Sequence, residues 1–255
     1  MLLLKACRDY YFLSGFFCAQ FLRYKSWTSD VQPDIIYIMK DDILHILNRG
    51  VEKRKVFITN KDYLRFANNL NGFNTIKNVH SYAKRCKKLD VGRPTSEELV
   101  DVLCWSLMPN HPHILVLEKD DGNAGKFSRK VFDGYTKYFN KLNDRSGVLF
   151  QGKSKIIPIQ EDSHFLWIPF YVMANPLDMF QPDWRENGVK NPNKAFEFLI
   201  NYKWSSLRDL VGENNFPDIV NKKLFYELYN TNAKDFKKEF QEWLRDFKGG
   251  YDLDE

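Results

Sequence analysis

With 255 residues, 44% hydrophobic and 28% charged, the chain can bury the core of one large domain and is excluded from the disordered class by composition. A formal net charge of +5 leans toward a polyanionic partner without requiring one. Four scattered cysteines, Cys7, Cys18, Cys86 and Cys104, form no C-x-x-C pair. That argues against a structural zinc site and for a reducing compartment, so a cytoplasmic protein is expected.

Residues 1 to 38 are rich in aromatics and lack a helical or strand period. Their most apolar run, "YYFLSGFFCAQFL", is shorter than the roughly eighteen residues a membrane span needs and is broken by polar residues, so no membrane segment is expected. This segment is an N-terminal extension, either a packing element or the product of a start upstream of Met39. "ILHIL" (43 to 47) reads as a buried strand closed by the turn signal Asn48-Arg49-Gly50. A helix follows over 59 to 72, capped by Thr59 or Asn60, with Tyr63, Phe66 and Leu70 at helical spacing. Residues 73 to 98 are basic and then turn-rich, and read as an insertion. "LVDVLCWSLM" (99 to 108) and "HILVLE" (113 to 118) form a predicted antiparallel hairpin across Pro109-Asn110.

The next helix spans 125 to 143, with Phe127, Val131, Tyr135, Tyr138 and Leu142 on one stripe. "KIIPIQ" (155 to 160) is a short strand whose proline suits an edge. Residues 161 to 176 read as a helix with Ser163 as a cap, kinked or restarted at Pro169 and stopped by Asn175-Pro176. The last helix places Phe236, Phe240, Trp243, Leu244 and Phe247 on one face, a core stripe or a docking stripe. The expected class is therefore α+β. A ferredoxin-like β-α-β-β-α-β antiparallel sheet carries helices on one face, followed by a further helix and a C-terminal helical extension. The expected organisation is an extension over 1 to 38, a domain over 39 to 212 and a helical extension over 213 to 255.

Two of the five histidines stand in "MPNHPHILVLE" (108 to 118). Strand residues two apart share a face, so His111 and His113 project together while Pro112 faces away. Paired neutral imidazoles can begin a divalent metal site, although for a bare H-x-H two ordinary polar residues beside a Pro-Asn turn are the readier account. Tyr171 and Asn175, four apart, would lie on one helix face about 6 Å apart along the axis. Basic residues cluster in "NRGVEKRK" and again in "GKSK".

The stretch "WSLMPNHPHILVLE" resembles the HUH signature of the single-tyrosine transposases, in particular the REP-associated tyrosine transposases and their insertion-sequence relatives. "HILNRGVEKRKVF", "DYLRF", "YTKYFNKLNDRSGVLFQGKSK", "YVMANP" and "YKWSSLRDLVG" resemble further stations of that family in the same order, together spanning roughly residues 41 to 212. The resemblance implies a metal-dependent endonuclease and strand transferase acting on single-stranded or hairpin DNA, as in transposition and DNA recombination. His111 and His113 match the histidine ligands, Asn175 the third metal ligand and Tyr171 the nucleophile, with Mg²⁺ or Mn²⁺ as the ion. Pro112 stands where the family more often has an aliphatic or aromatic residue, and Pro169 lies two residues before Tyr171.

The basic clusters are read as backbone contacts to DNA through Arg49, Lys53, Arg54, Lys55, Lys153 and Lys155. No phosphate-binding G-x-x-x-x-G-K-[ST] loop is present, so no nucleotide cofactor is expected. Either a monomer or a homodimer is compatible with the sequence. Two other functions remain open at this level. One is a single-strand-binding module without cleavage. The other is a small metallohydrolase that would need a third strong ligand or a base such as Glu118.

Overall fold

Four strands in the order β2-β3-β1-β4, each antiparallel to its neighbour, form the sheet that organises the protein. A computed structural model describes residues 42–77 and 98–250 of the chain. The segment 1 to 38 and most of the 73 to 98 insertion therefore lie outside the described residues.

Strand β1 (Ile43–Leu47) pairs with β3 (His111–Glu118) on one side and β4 (Lys155–Pro158) on the other. Strand β2 (Val100–Met108) pairs with β3 through a two-residue turn at Pro109 and Asn110. Strand β3 begins two residues earlier than its apolar run implied, so both histidines lie inside the ladder. Pro112 opposes Leu107 of β2, whereas the β1 ladder ends at Leu47 opposite His113. A residue without an N–H is tolerated there because one side of the strand has already lost its partner.

Helix α1 (Asn60–Gly72) follows β1 and α2 (Asn123–Leu142) follows β3; the two pack together, and α2 rests on β2 and β3. Gly134 allows this approach, since a Cβ there would stand 2.7 Å from the Phe73 ring. Phe132 and Phe139 join Phe127, Val131 and Tyr135 in the buried stripe, whereas Leu142, the last residue of the helix, is exposed. Thr59 caps α1, and buried Asp62 is its reciprocal partner. Its Oδ2 accepts from the backbone N–H groups of Ile58 and Thr59 at 3.0 and 2.8 Å, while its Oδ1 accepts from Tyr138 Oη at 3.2 Å. Asp62→Ala should therefore cost about 2 kcal/mol of stability. Urea denaturation measures it, and a loss below about 0.5 kcal/mol would show the cap to be incidental.

Helix α3 (Asp162–Ala174) packs on β2 and β3, and a 3₁₀ turn (Asn175–Met179) follows it. The helix runs unbroken through Pro169, and its N-cap is Glu161 rather than Ser163, which sits in the first turn. Short helices α4 (Trp184–Asn187), α5 (Pro192–Asn201), α6 (Leu207–Leu210) and α7 (Lys222–Leu228) lead to α8 (Ala233–Asp246). The C-terminal stripe is core. Phe236, Phe240 and Trp243 of α8 stack around Phe170 of α3 at centroid distances of 5.4, 5.7 and 5.8 Å. The segment after 212 thus braces the helix that carries Tyr171.

The outer edge of β2 is fastened along its length. Asn74 bonds both the N–H and the carbonyl of Val100, and Asn221 N–H donates to Val102 O. Further along, Ser206 engages both polar groups of Trp105, Trp204 O accepts from Leu107 N–H, and Tyr202 Oη donates to Leu107 O at 2.6 Å. The "YKWSS" segment is therefore edge protection as well as a motif.

Candidate functional site

A β-bulge sets the register of the site. Val102 opposes Val116 but Cys104 opposes Leu115, so Leu103 is the extra residue. The shift places Ser106, rather than Trp105, opposite His113. Ser106 Oγ then donates to the Val172 carbonyl of α3 at 2.6 Å. One hydroxyl thereby fixes α3 over the face from which His113 projects, one residue from Tyr171.

His111 and His113 share that face, as their spacing requires, with ring centroids 4.7 Å apart. Each imidazole is held through Nδ1. For His111 the partner is Asn110 Oδ1 at 2.7 Å. For His113 it is Nε2 of His45, at 3.0 Å, with the two rings stacked. Partners of this kind fix the tautomer and orientation of a metal-binding imidazole. Burial, reinforced by His164 and His111, pulls the pKa of His45 down to about 3. Burial also drives His113 well below the usual histidine range, with His111, His45, Arg185 and Arg49 adding to the effect. His45 and His113 are thus neutral near pH 7, and a neutral imidazole is the form that ligates metals.

Tyr171 reaches the same place from α3. Its ring lies edge-on to His113 at 6.2 Å and to Trp167 at 5.7 Å. The ring is only 2% exposed and His113 is fully buried. Asn175 donates from Nδ2 to the Tyr171 carbonyl at 2.9 Å and accepts at Oδ1 from Arg185 Nη2 at 2.5 Å. Arg185 also pairs with Asp178 through Nη1 and lies 5.5 Å from the centre of the Tyr171 ring. Among the described residues, no group of three or more His, Cys, Asp or Glu is arranged around a common metal position. A metal held by His111 and His113 would therefore take its remaining ligands from amide, water or phosphate oxygen.

Two tyrosines of α2 are occupied elsewhere. Tyr135 Oη donates to the Val56 carbonyl, and burial raises its pKa far above the ordinary phenol value. Tyr138 Oη donates to Asp62. Glu118 lies at the opposite end of β3 from the histidines and accepts from Ala124 N–H at the start of α2.

The two basic clusters, far apart in sequence, are neighbours. Gly50 bridges Phe150, Val51 N–H donates to Leu149 O, and Gln151 N–H donates to Arg49 O. Leu47 stands between His113 and Lys155 in adjacent ladders, so both clusters emerge at the sheet end that carries the histidines. Lys53, Lys55, Lys153 and Lys155 are exposed, Arg49 is half-buried, and Arg54 pairs with Glu52 at 3.0 Å.

His45, His164 and Arg185 escaped the sequence reading. The middle residue of "ILHIL" was a signal for the first, since a lone imidazole in a fully buried strand needs a polar partner. His164 stacks on Trp167 at 4.8 Å, bordering the cluster.

No protein-family model and no curated protein matches the chain. A solved structure of a REP-associated tyrosine transposase bound to a REP hairpin is similar over 70% of this chain and 84% of that one, with 15% identity and a TM-score of 0.43.

Proposed function

We propose that the protein is an HUH-type single-tyrosine nuclease and strand transferase, acting on single-stranded or hairpin-flanked DNA within a ferredoxin-like domain over residues 39 to 212. The observation that carries the reading is the convergence of His111 and His113 from β3 with Tyr171 from α3, beside two joined basic loops. The six ordered sequence motifs and the split strand order support it.

In this reading Tyr171 Oη attacks the phosphorus. A P–O bond to tyrosine forms and the P–O3′ bond breaks. The phenol loses its proton and the departing O3′ gains one, leaving a 5′-phosphotyrosine and a free 3′-OH without redox change. His111 and His113 would hold Mg²⁺ or Mn²⁺, with Asn175 as third ligand once its carboxamide oxygen parts from Arg185. Such an ion offsets phosphate charge as a Lewis acid when bound. Asn110 and His45 keep the two imidazoles oriented. The buried surroundings of Tyr171 limit competing attack by water.

Incubating the full chain with a hairpin-flanked oligonucleotide and Mn²⁺ should give a protein–DNA adduct that survives boiling in detergent. Failure to form one on any such substrate would favour a second reading, a single-strand-binding module without cleavage. The near-complete burial of Tyr171 and His113 is the observation on that side. A small metallohydrolase is less well supported, because Glu118 is engaged as a helix partner.

The basic loops make a separate prediction. Replacing Arg49, Lys53, Arg54 and Lys55 with Gln should weaken single-strand binding across all sequences. At about 0.7 per phosphate contact, the slope of log affinity against log salt should flatten by roughly 3. Fluorescence anisotropy across a salt series measures it, and unchanged affinity at low salt would refute the footprint.

A further inference from the structure

Arg185 is held more firmly than a surface arginine needs to be. Its guanidinium pairs with Asp178, and its Nη2 donates to Asn175 Oδ1 at 2.5 Å. Its Cζ lies 4.9 Å from the ring centre of Trp184 and 5.5 Å from that of Tyr171. Asp178 is itself fixed by Trp184 Nε1 at 2.7 Å. Restraints thus come from α3, the following 3₁₀ turn and α4, all within residues 171 to 185. They place one permanent positive charge beside the ring of the proposed nucleophile.

We propose that Arg185 is a catalytic residue of the Tyr171 site, contacting the non-bridging oxygens of the scissile phosphate, and that Asp178 is its positioning residue. The inference rests on the phosphotyrosine reading and adds a cation supplied by the chain itself. The physical argument concerns charge and plane. Attack by a tyrosyl oxygen concentrates negative charge on the phosphoryl oxygens. A guanidinium offers donors in a rigid fork that matches them and never loses its proton. Holding that fork in place before substrate arrives means little reorganisation at the moment of reaction. The Asp178 carboxylate on one terminal nitrogen and the Trp184 ring against the guanidinium hold the fork, as a lone surface salt bridge would not.

The competing account is a structural staple joining α4 to the 3₁₀ turn. The test compares wild type, Arg185→Lys, Arg185→Gln and Arg185→Ala in the full chain. It measures single-turnover adduct formation on a hairpin-flanked oligonucleotide, oligonucleotide affinity in EDTA, and melting temperature. Arg185→Gln should slow adduct formation roughly 100-fold. Its affinity in EDTA should stay within about threefold, because many other phosphate contacts remain. Arg185→Lys should recover about tenfold of the loss, keeping the charge without the fork. Added guanidinium ion should accelerate Arg185→Ala and leave wild type unaffected. An Arg185→Gln rate equal to wild type would overturn the inference while leaving the phosphotyrosine reading intact. So would a rate loss in Arg185→Ala that guanidinium does not relieve and that tracks a fallen melting temperature. If wild type forms no adduct, the reading itself falls and this inference with it.

Discussion

Tyr171→Phe should abolish the covalent protein–DNA adduct and leave oligonucleotide binding unchanged. The substitution removes one oxygen and keeps the ring. The contacts with His113, Trp167 and Arg185 involve that ring and should survive. The backbone carbonyl that receives the Asn175 amide and the Ser106 bond to Val172 are untouched. Loss of the nucleophile removes the covalent route, so adduct in a denaturing gel should fall by at least about 10³-fold. Tyr135→Phe and Tyr138→Phe are the controls. Their hydroxyls serve Val56 and Asp62, so these variants should lose some stability and keep the adduct. An adduct that persists in Tyr171→Phe and disappears in a control would place the nucleophile on α2.

Replacing both His111 and His113 with Ala should abolish cleavage and also remove Mn²⁺ binding, which electron paramagnetic resonance reads without any reaction. Single-strand affinity should remain within a few-fold, since phosphate contacts dominate it. The variant must be checked for folding. His113 is fully buried and bonded to His45, so the exchange leaves both a cavity and a His45 ring without its imidazole partner. Asn in place of each histidine keeps a polar group and most of the volume, and it should fail in the same two assays. Undiminished cleavage by a folded double variant would remove the metal from the mechanism. Undiminished Mn²⁺ binding would place the ion elsewhere.

Much of the sheet was legible because its strands carry unambiguous apolar runs bounded by turn residues. The boundaries of β1 and the edge character of β4 follow directly from "ILHIL" and "KIIPIQ". The start of β3 did not, because a proline normally ends a ladder. Only the pairing shows that β1 has already stopped at that point. The two-residue spacing joins His111 to His113, but the approach of Tyr171 to them depends on the Leu103 bulge and the Ser106 bond, and no periodicity reveals either. Arg185 was illegible for a different reason. Its partners Asn175 and Asp178 lie ten and seven residues away across the break between the 3₁₀ turn and α4, where spacing carries no fixed geometry.

The fastening of β2 also bears on how copies of this protein can assemble. An exposed strand is a template on which a second chain, or a misfolded one, can continue the sheet. Here both backbone groups of Val100, Trp105 and Leu107 and the carbonyl of Val102 are already taken by Asn74, Asn221, Ser206, Trp204 and Tyr202. A dimer built by sheet continuation therefore has no purchase on β2, and neither does a growing β-aggregate. Any symmetric pairing has to be made through side chains on that flank, which can be tuned or lost by point substitution without disturbing the sheet.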